Sequence, residues 1–194
     1  MIQRTKTPRC KWCKNSFTRT RPGDVCCSVE CGIQYGMKAA AKVRKAAELE
    51  QKKQTRAQRE EMKTLPVLRV EAQREFNRFI RLRDAGKPCI CCGKLPQSDP
   101  LTGGQWDCGH YRSVGSAPHL RFDERNAAGQ LKQCNRDGAG RAVDYRIGLI
   151  ARIGLAAVEA LEADNTPLHY TKDDLRALKA HYKAKTRELL AGRG

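Results

Sequence analysis

Closely spaced cysteines near the start of this sequence suggest metal binding. Cys10 and Cys13 form one pair, and Cys27 and Cys31 form another after thirteen intervening residues. Two close pairs of thiolates joined by a loop can converge tetrahedrally on one zinc ion. So short a segment buries little apolar surface, so the metal would supply much of its folding energy. The spacing predicts a zinc knuckle, in which Cys26 is an alternative ligand to Cys27.

A second group of reactive residue types lies between positions 88 and 135. Cys89 and Cys92 stand in a Pro-Cys-Ile-Cys-Cys-Gly turn, whose glycine lets the backbone fold behind the thiolates. His110 and Asn126 follow, and Cys134 comes after them. In ββα-metal nucleases a His takes a proton from water, an Asn holds that His, and a metal ion shields the phosphate oxygens. The order of residues therefore predicts a small metal-dependent nuclease core.

The overall charge favours the same class of partner. The 194-residue chain has a formal net charge of +17 and a pI of about 9.7. An enzyme for neutral metabolites needs no such excess, whereas each Lys or Arg set against a phosphate releases condensed counterions. We therefore predict a nucleic-acid partner. An anionic membrane surface is the alternative, although no apolar run is long enough to span a bilayer.

The cysteines are interpreted as metal ligands rather than as disulfides. The segment Met1–Arg9 is polar and basic and lacks the apolar core of a signal peptide. Without a secretory signal, ten cysteines fit a reducing compartment, where thiols persist and bind metal.

Helices are predicted before the Cys/His/Asn zone. Residues 37–64 consist largely of Ala, Lys, Glu, Gln and Arg without a strong apolar stripe, which predicts an exposed basic helix or a charged spacer. Residues 71–85 repeat apolar side chains at helical spacing and end before Gly86. This second helix is expected to pack on the metal-bound core that follows.

Helices return after residues 87–141, where frequent Gly and Pro favour short strands and loops. Helical periodicity covers 142–163, with Val143 on the predicted buried face. Thr171 and Asp174 have the spacing of a capping box and predict the start of a last helix. The fold class is therefore α+β. Its predicted parts are a zinc knuckle over residues 1–36, a basic helical linker over 37–70, and a nuclease core with flanking helices over 71–194.

Longer motifs carry a resemblance that covers nearly the whole chain. They are PCICCG, WDCGHYR, APHLRFDERN, KQCN and YRIGLIARIG, which begin at positions 88, 106, 117, 132 and 145. Together with the N-terminal cysteine pairs and the basic helix, they resemble the NinG (Rap) recombination proteins of lambdoid bacteriophages. That family is similar to HNH-type endonucleases and acts on branched DNA such as D-loops and four-way (Holliday) junctions. The resemblance implies an HNH-like ββα-metal core that hydrolyses phosphodiester bonds with Mg²⁺ or Mn²⁺.

The resemblance also implies roles for particular side chains. His110 would be the general base, Asn126 would orient it, and Asp107 would assist a metal ion unless it only forms a turn. Guanidinium groups pair bidentately with phosphate, so three arginines would contact DNA unless they pair with nearby acidic residues. These arginines are Arg112, Arg121 and Arg125. Structural zinc would be held by Cys89, Cys92 and Cys134.

Four positions depart from the family pattern Arg-Asn-x-His-x-Gln-Cys-x-x-Cys-Asn-x-His-x-Ser-Gly. Its His, Cys, His and Ser positions are occupied here by Ala128, Leu131, Asp137 and Ala139. One zinc ligand and one metal-binding His are therefore replaced. Cys108 would be the substitute thiol, and Asp137 is an oxygen ligand suited to Mg²⁺ or Mn²⁺. The alternative function is an accessory that binds branched DNA and has lost catalysis.

The expected partners follow from the same resemblance. They are branched DNA, phage or host recombination proteins, and a second copy of the chain, since cutting both strands of a junction usually needs two active centres. We expect no membrane partner and a location in the cytoplasm of the bacterial host, at the nucleoid. A zinc-dependent protein-interaction module with incidental charge is a further alternative.

Overall fold

The computed structural model of the chain describes residues 7–97 and 104–192. It divides between Met62 and Lys63 into two compact units. None of the helices within the described ranges is both long and apolar enough to cross a membrane.

The first unit is a cysteine-rich loop region followed by one long helix, α1 (Val29–Glu61). The hydroxyl oxygen of Ser28 caps this helix by accepting a hydrogen bond from the Cys31 N–H at 3.2 Å. The helix predicted over 37–64 is confirmed and begins earlier, so Cys31 lies in its first turn. No residue of α1 is buried, as expected for a helix without an apolar stripe.

The second unit combines helices with a two-stranded sheet. Its elements are α2 (Leu65–Arg83), β1 (Trp106–His110), a 3-10 turn (Pro118–Leu120), β2 (Ala127–Leu131), a π-helical turn (Gln133–Asp137), α3 (Ala142–Ile153), α4 (Leu155–Ala163) and α5 (Lys172–Ala191). The strands are antiparallel, with Trp106 opposite Leu131 and His110 opposite Ala127. The α+β class is confirmed, with helices predominating.

Three helix predictions can be compared with these bounds. The helix predicted over 71–85 begins earlier because Pro66 lies in its first turn, where a missing N–H costs no helical hydrogen bond. Gly154, with φ 86°, separates α3 from α4 within the region predicted over 142–163. The prediction that Val143 lies on the buried face is wrong, since this side chain is 75% exposed. The capping box of Thr171 and Asp174 is confirmed at the start of α5.

The sheet lies between two apolar clusters because neighbouring residues of a strand point to opposite faces. Ala127 of β2 packs in the α2–α5 cluster, and Ala128 packs in the α3–α4 cluster. The α2–α5 cluster contains Leu68, Ala72, Phe76, Phe79, Ile80, Phe122, Leu175 and Tyr182. The α3–α4 cluster contains Ile90, Ala117, Leu120, Tyr145, Leu149, Val158 and Leu161. Both faces of so small a sheet are thereby shielded from water.

Asp84, just after α2, is a fully buried carboxylate that joins several elements. Arg83 donates two hydrogen bonds to it at 2.9 Å, and the Gly129 N–H of β2 donates a third at 2.8 Å. Arg152 of α3 and Lys87 each lie 3.2 Å from its oxygens. Burial alone would raise the pKa of Asp84, but the bonds from Arg83 and Gly129 and the charge of Arg152 hold it below its usual value. The carboxylate therefore stays ionised in the folded unit.

We predict that Asp84→Ala destabilises the second unit by about 3–5 kcal/mol, because it leaves the Gly129 N–H without its acceptor and removes the anion that the partly buried Arg83 and Arg152 face. The measurement is urea unfolding followed by the fluorescence of buried Trp106 in a Trp12→Phe background. The loss should shrink at acidic pH, since the contribution of Asp84 is present above its ordinary pKa of 3.8 and disappears as the pH falls through its lowered pKa.

The matched control is Asp173→Ala, which removes a carboxylate that is 90% exposed and pairs with Arg176 at 2.9 Å. We expect this variant to lose less than about 1 kcal/mol. Equal losses from the two substitutions would show that Asp84 has no special place in the fold.

Candidate functional site

The structure brings together the four thiols of the predicted knuckle. The sulfur atoms of Cys10, Cys13, Cys27 and Cys31 all lie within 4.8 Å of one another. The Cys13 and Cys27 sulfurs are 3.5 Å apart, and those of Cys27 and Cys31 are 3.7 Å apart. Cys27, not Cys26, belongs to this group. Four converging sulfurs suit a tetrahedral structural zinc ion.

A second group of three thiols forms at the edge of the sheet. The sulfurs of Cys89, Cys92 and Cys134 lie within 4.8 Å of one another, beside the buried Trp106. Burial alone would raise the pKa of Cys89, but backbone N–H groups, including that of Leu131 at 3.3 Å, hold it below its usual value. These hydrogen bonds favour the thiolate, which is the form that binds metal.

Leu131 packs against this three-thiol group, at the position where the family pattern has a cysteine. Cys108 is the predicted substitute for this missing cysteine. Among the described residues, however, Cys108 does not belong to the three-thiol group. Cys108 pairs across the sheet with Gly129 rather than with Leu131, and it packs against the α2–α5 cluster, where burial raises the pKa of its thiol. Cys91 also lies outside the group and accepts a hydrogen bond from Gln130 Nε2 at 2.8 Å.

His110 ends β1 and is half-buried. Its Nε2 lies 3.0 Å from the carbonyl oxygen of Arg121. A carbonyl can only accept, so Nε2 carries the proton and Nδ1 keeps its lone pair. The ring stacks on Phe76 at 5.8 Å between centroids. Burial lowers the pKa of His110, and the positive charge of Arg121 lowers it further. The hydrogen bond to the Arg121 carbonyl acts in the opposite direction but does not cancel the decrease. The imidazole is therefore kept neutral at physiological pH.

Asn126 is predicted to orient His110, but its side chain bonds to backbone atoms and not to the imidazole ring. Its Oδ1 accepts from the Arg112 N–H at 2.8 Å, and its Nδ2 donates to the carbonyls of Arg112 at 3.0 Å and Leu120 at 3.2 Å. Asn126 therefore fixes the loop between the strands. Since Leu120 precedes Arg121, this loop also carries the carbonyl that bonds to His110.

Asp107 lies on β1 rather than in a turn. Adjacent strand residues alternate between faces, so Asp107 and His110, three positions apart, point to opposite sides. Its carboxylate accepts from Arg136 Nε at 2.9 Å and from Asn135 Nδ2 at 3.2 Å. Asp107 is thus engaged with the segment that follows β2.

A cavity of about 710 Å³ opens beside His110. Tyr111 and Glu162 line it, and the Tyr111 hydroxyl donates to the Glu162 carboxylate. Arg146 Nε donates to the same carboxylate at 2.7 Å. Arg146, with Tyr111, lowers the pKa of Glu162 to about 2. The sequence predicted no role for Glu162, or for Arg146 of the YRIGLIARIG motif, because these two residues meet Tyr111 only through folding.

The three arginines predicted to contact DNA have different surroundings. Arg112 Nη1 donates to the carbonyl of Leu161 at 2.9 Å and to that of Asp164. Arg112 thus caps the C-terminal end of α4. Arg125 forms a bidentate pair with Asp123 at 2.7 and 3.1 Å, the alternative that the sequence left open. The third, Arg121, donates only to neutral groups among the described residues and remains available to an anion.

Comparison with known proteins decides the family. The family model described as "Bacteriophage Lambda NinG protein" matches residues 2–191. The chain belongs to the NinG family. It is 38% identical over 194 residues to Protein ninG of Salmonella phage P22, which covers 93% of each chain. It is 36% identical over 202 residues to Protein ninG of Escherichia phage lambda, covering 97% of this chain and 96% of that relative. No solved structure matches the chain.

The structure of this NinG protein offers no preformed ligand set for Mg²⁺ or Mn²⁺ in the described ranges. The two groups of three or more potential metal ligands found there are the cysteine groups. Glu162, which lines the cavity beside His110, is bonded to Arg146, and Asp107, which points to the other face of the sheet, is bonded to Arg136. Asp137 is exposed on the π-helical turn and does not line the cavity. The residues present therefore fit zinc at the cysteine groups and do not fit a second metal beside His110.

We predict that Leu131→Cys strengthens zinc binding at the three-thiol group, because structural zinc prefers four ligands. Structural sites bind zinc with ~10–16 kcal/mol, on the order of 3 kcal/mol per ligand, so the gain should be tenfold or more. Titration with a competing chelator, with released zinc quantified, should show two steps in the natural chain. The four-thiol knuckle should be emptied last.

The control is Leu131→Ser, which makes the same reduction in size without adding a sulfur. We expect the second zinc to leave at a lower chelator concentration in the Ser variant than in the Cys variant. Identical release curves would mean that residue 131 does not face the metal position.

Proposed function

We propose that this NinG protein is a structure-specific endonuclease of phage recombination that binds branched DNA and nicks it by phosphodiester hydrolysis. The observation that carries the proposal is the state of His110. Its Nε2 proton is committed to the Arg121 carbonyl, its pKa is lowered, and it borders an open cavity. A neutral imidazole with a free nitrogen beside a cavity is suited to general-base catalysis.

The proposed reaction uses this nitrogen to activate water. Nδ1 of His110 takes a proton from a water molecule as the water oxygen forms a bond to phosphorus. The P–O bond on the opposite side of phosphorus breaks, and the departing oxygen takes a proton from solvent. The stack on Phe76 and the bond to the Arg121 carbonyl hold the ring in place during this step. Asn126 supports that carbonyl through its bond to Leu120.

The architecture around His110 also supports an HNH-like core. β1 and β2 are antiparallel, α3 follows them in the chain, and the Tyr145 hydroxyl of α3 donates to the Gly109 carbonyl of β1 at 2.9 Å. This is the order of two strands and one helix expected for a ββα core. Because the described residues offer no ligand set for Mg²⁺ or Mn²⁺ beside His110, the proposed step assigns no role to either ion.

A second candidate function is a recombination accessory that binds branched DNA without cutting it. Ala128, at the family's His position, is buried in the α3–α4 cluster and has no ligand atom. The Glu162 carboxylate, which lines the cavity beside His110, is bonded to Arg146, and the Asp107 carboxylate is bonded to Arg136. Both candidates include branched DNA, phage or host recombination proteins and a second copy of the chain as proposed partners, at the bacterial nucleoid.

Cleavage of a labelled four-way junction distinguishes the two candidates. With Mg²⁺ or Mn²⁺ we expect the natural chain to nick the junction, and His110→Ala to lower the rate by about 10²–10⁴-fold. His169→Ala, which removes an exposed histidine, should leave the rate unchanged. The activity should fall at acidic pH with an apparent pKa below 6.5, since the lowered pKa of His110 keeps the base free down to that range.

Two results would contradict the nuclease. If the natural chain binds the junction but leaves it intact with either ion, the accessory function is supported instead. If His110→Ala cuts at the natural rate, the assigned base is wrong.

A further inference from the structure

A groove lined by arginines runs along α2 on the second unit. Its volume is about 350 Å³. The charged and amide side chains that line it are Arg69, Gln73, Arg74, Asn77, Arg81 and Arg121. No carboxylate lines it within residues 7–97 and 104–192. Four guanidinium groups and two amides thus face one narrow space.

Helical spacing places these groups in a row. Arg69, Gln73, Asn77 and Arg81 follow one another at intervals of four residues, so they share one side of α2. The twelve steps from Arg69 to Arg81 advance about 18 Å along the helix axis at ~1.5 Å per residue. This length spans several consecutive phosphates of one DNA strand.

Arg69, Arg74 and Arg121 bring positive charge into the groove, and none of the three forms an ion pair with an acidic residue in the described part of the chain. Arg121 Nη1 donates to Gln73 Oε1 at 3.2 Å, and Gln73 Nε2 donates to Asn77 Oδ1 at 2.7 Å. Burial and the charge of Arg69 lower the pKa of Arg121. A bound anion would relieve this crowding of like charges.

The groove is physically joined to the candidate base. Arg121 belongs to both sites. Its guanidinium lines the groove, and its backbone carbonyl accepts the hydrogen bond from His110 Nε2 at 3.0 Å. Phe76, on the same helix as the other arginines, stacks on the His110 ring. An anionic chain lying along α2 would therefore pass beside the imidazole.

We propose that this groove binds the sugar–phosphate backbone of one DNA strand and leads it past His110. The proposal rests on the proposed function and deepens it by assigning the path of the substrate. It also moves the main phosphate contacts from Arg112 and Arg125 to Arg69, Arg74 and Arg121. A nucleic acid fits better than an anionic membrane, because the arginines line a concave groove beside amides that hydrogen-bond single phosphate and sugar oxygens.

Equilibrium binding to a fluorescent four-way junction tests the path. Binding is measured by anisotropy over a range of salt concentrations, without added Mg²⁺ or Mn²⁺, so that cleavage does not interfere. The groove variant is Arg69→Ala with Arg74→Ala. The control variant, Lys183→Ala with Arg187→Ala, removes the same charge from exposed positions on α5.

We expect the groove variant to bind the junction roughly tenfold more weakly or worse, because each contact of an arginine with phosphate is charge-assisted. The slope of log K against log salt should fall by about one per arginine removed, and the control should change far less. Arg74→Glu reverses the charge at an exposed position. This variant should bind the junction more weakly than Arg74→Ala alone, without unfolding the chain. Thermal melts of all variants verify that they are folded.

The outcomes separate this proposal from the nuclease. Loss of binding in the groove variant supports the groove even if the natural chain never cuts DNA. Binding equal to that of the control variant overturns the groove even if cleavage depends on His110. The groove is also overturned if the groove variant keeps its affinity for the junction and loses affinity for vesicles that contain phosphatidylserine.

Discussion

The buried carboxylate of Asp84 is the interaction on which the second unit depends. It accepts hydrogen bonds from the end of α2, from β2 and from α3, and Arg83 extends the network to the carbonyls of Glu124 and Ala127. Burying a charge is unfavourable unless it is well paired, so these bonds fix the relative positions of the elements rather than merely adding stability. The network thus reaches the loop that holds His110 through Arg83, and the Pro88 carbonyl next to Cys89 through Arg152.

The candidate site is built from backbone groups at least as much as from side chains. The Arg121 carbonyl sets the tautomer of His110, and the Leu131 N–H stabilises the Cys89 thiolate. Asn126 acts only on main-chain atoms of the loop between the strands. Consequently the chain can replace residues of the family pattern at positions 128 and 131 and still retain the loop that positions its candidate base.

Local patterns predicted the parts of this protein that are local in space. Cysteine spacing identified the four-thiol group, the family resemblance identified the three-thiol group, and the capping box identified the start of α5. The sequence did not reveal that Asn126 bonds to the backbone or that Arg112 caps α4, because both depend on loop geometry. Partners such as Tyr111 and Glu162 come together only through folding. The missing information is tertiary, and no spacing rule contains it.

The fold holds the His110 imidazole neutral, with its Nε2 proton bound by the Arg121 carbonyl. The most direct test is NMR of the ¹⁵N-labelled protein, in which long-range ¹H–¹⁵N correlations identify the protonated ring nitrogen and a pH titration gives the pKa of His110. We predict the Nε2–H tautomer and a pKa below 6.5. An Nδ1–H tautomer, or a pKa above 6.5, would contradict this prediction.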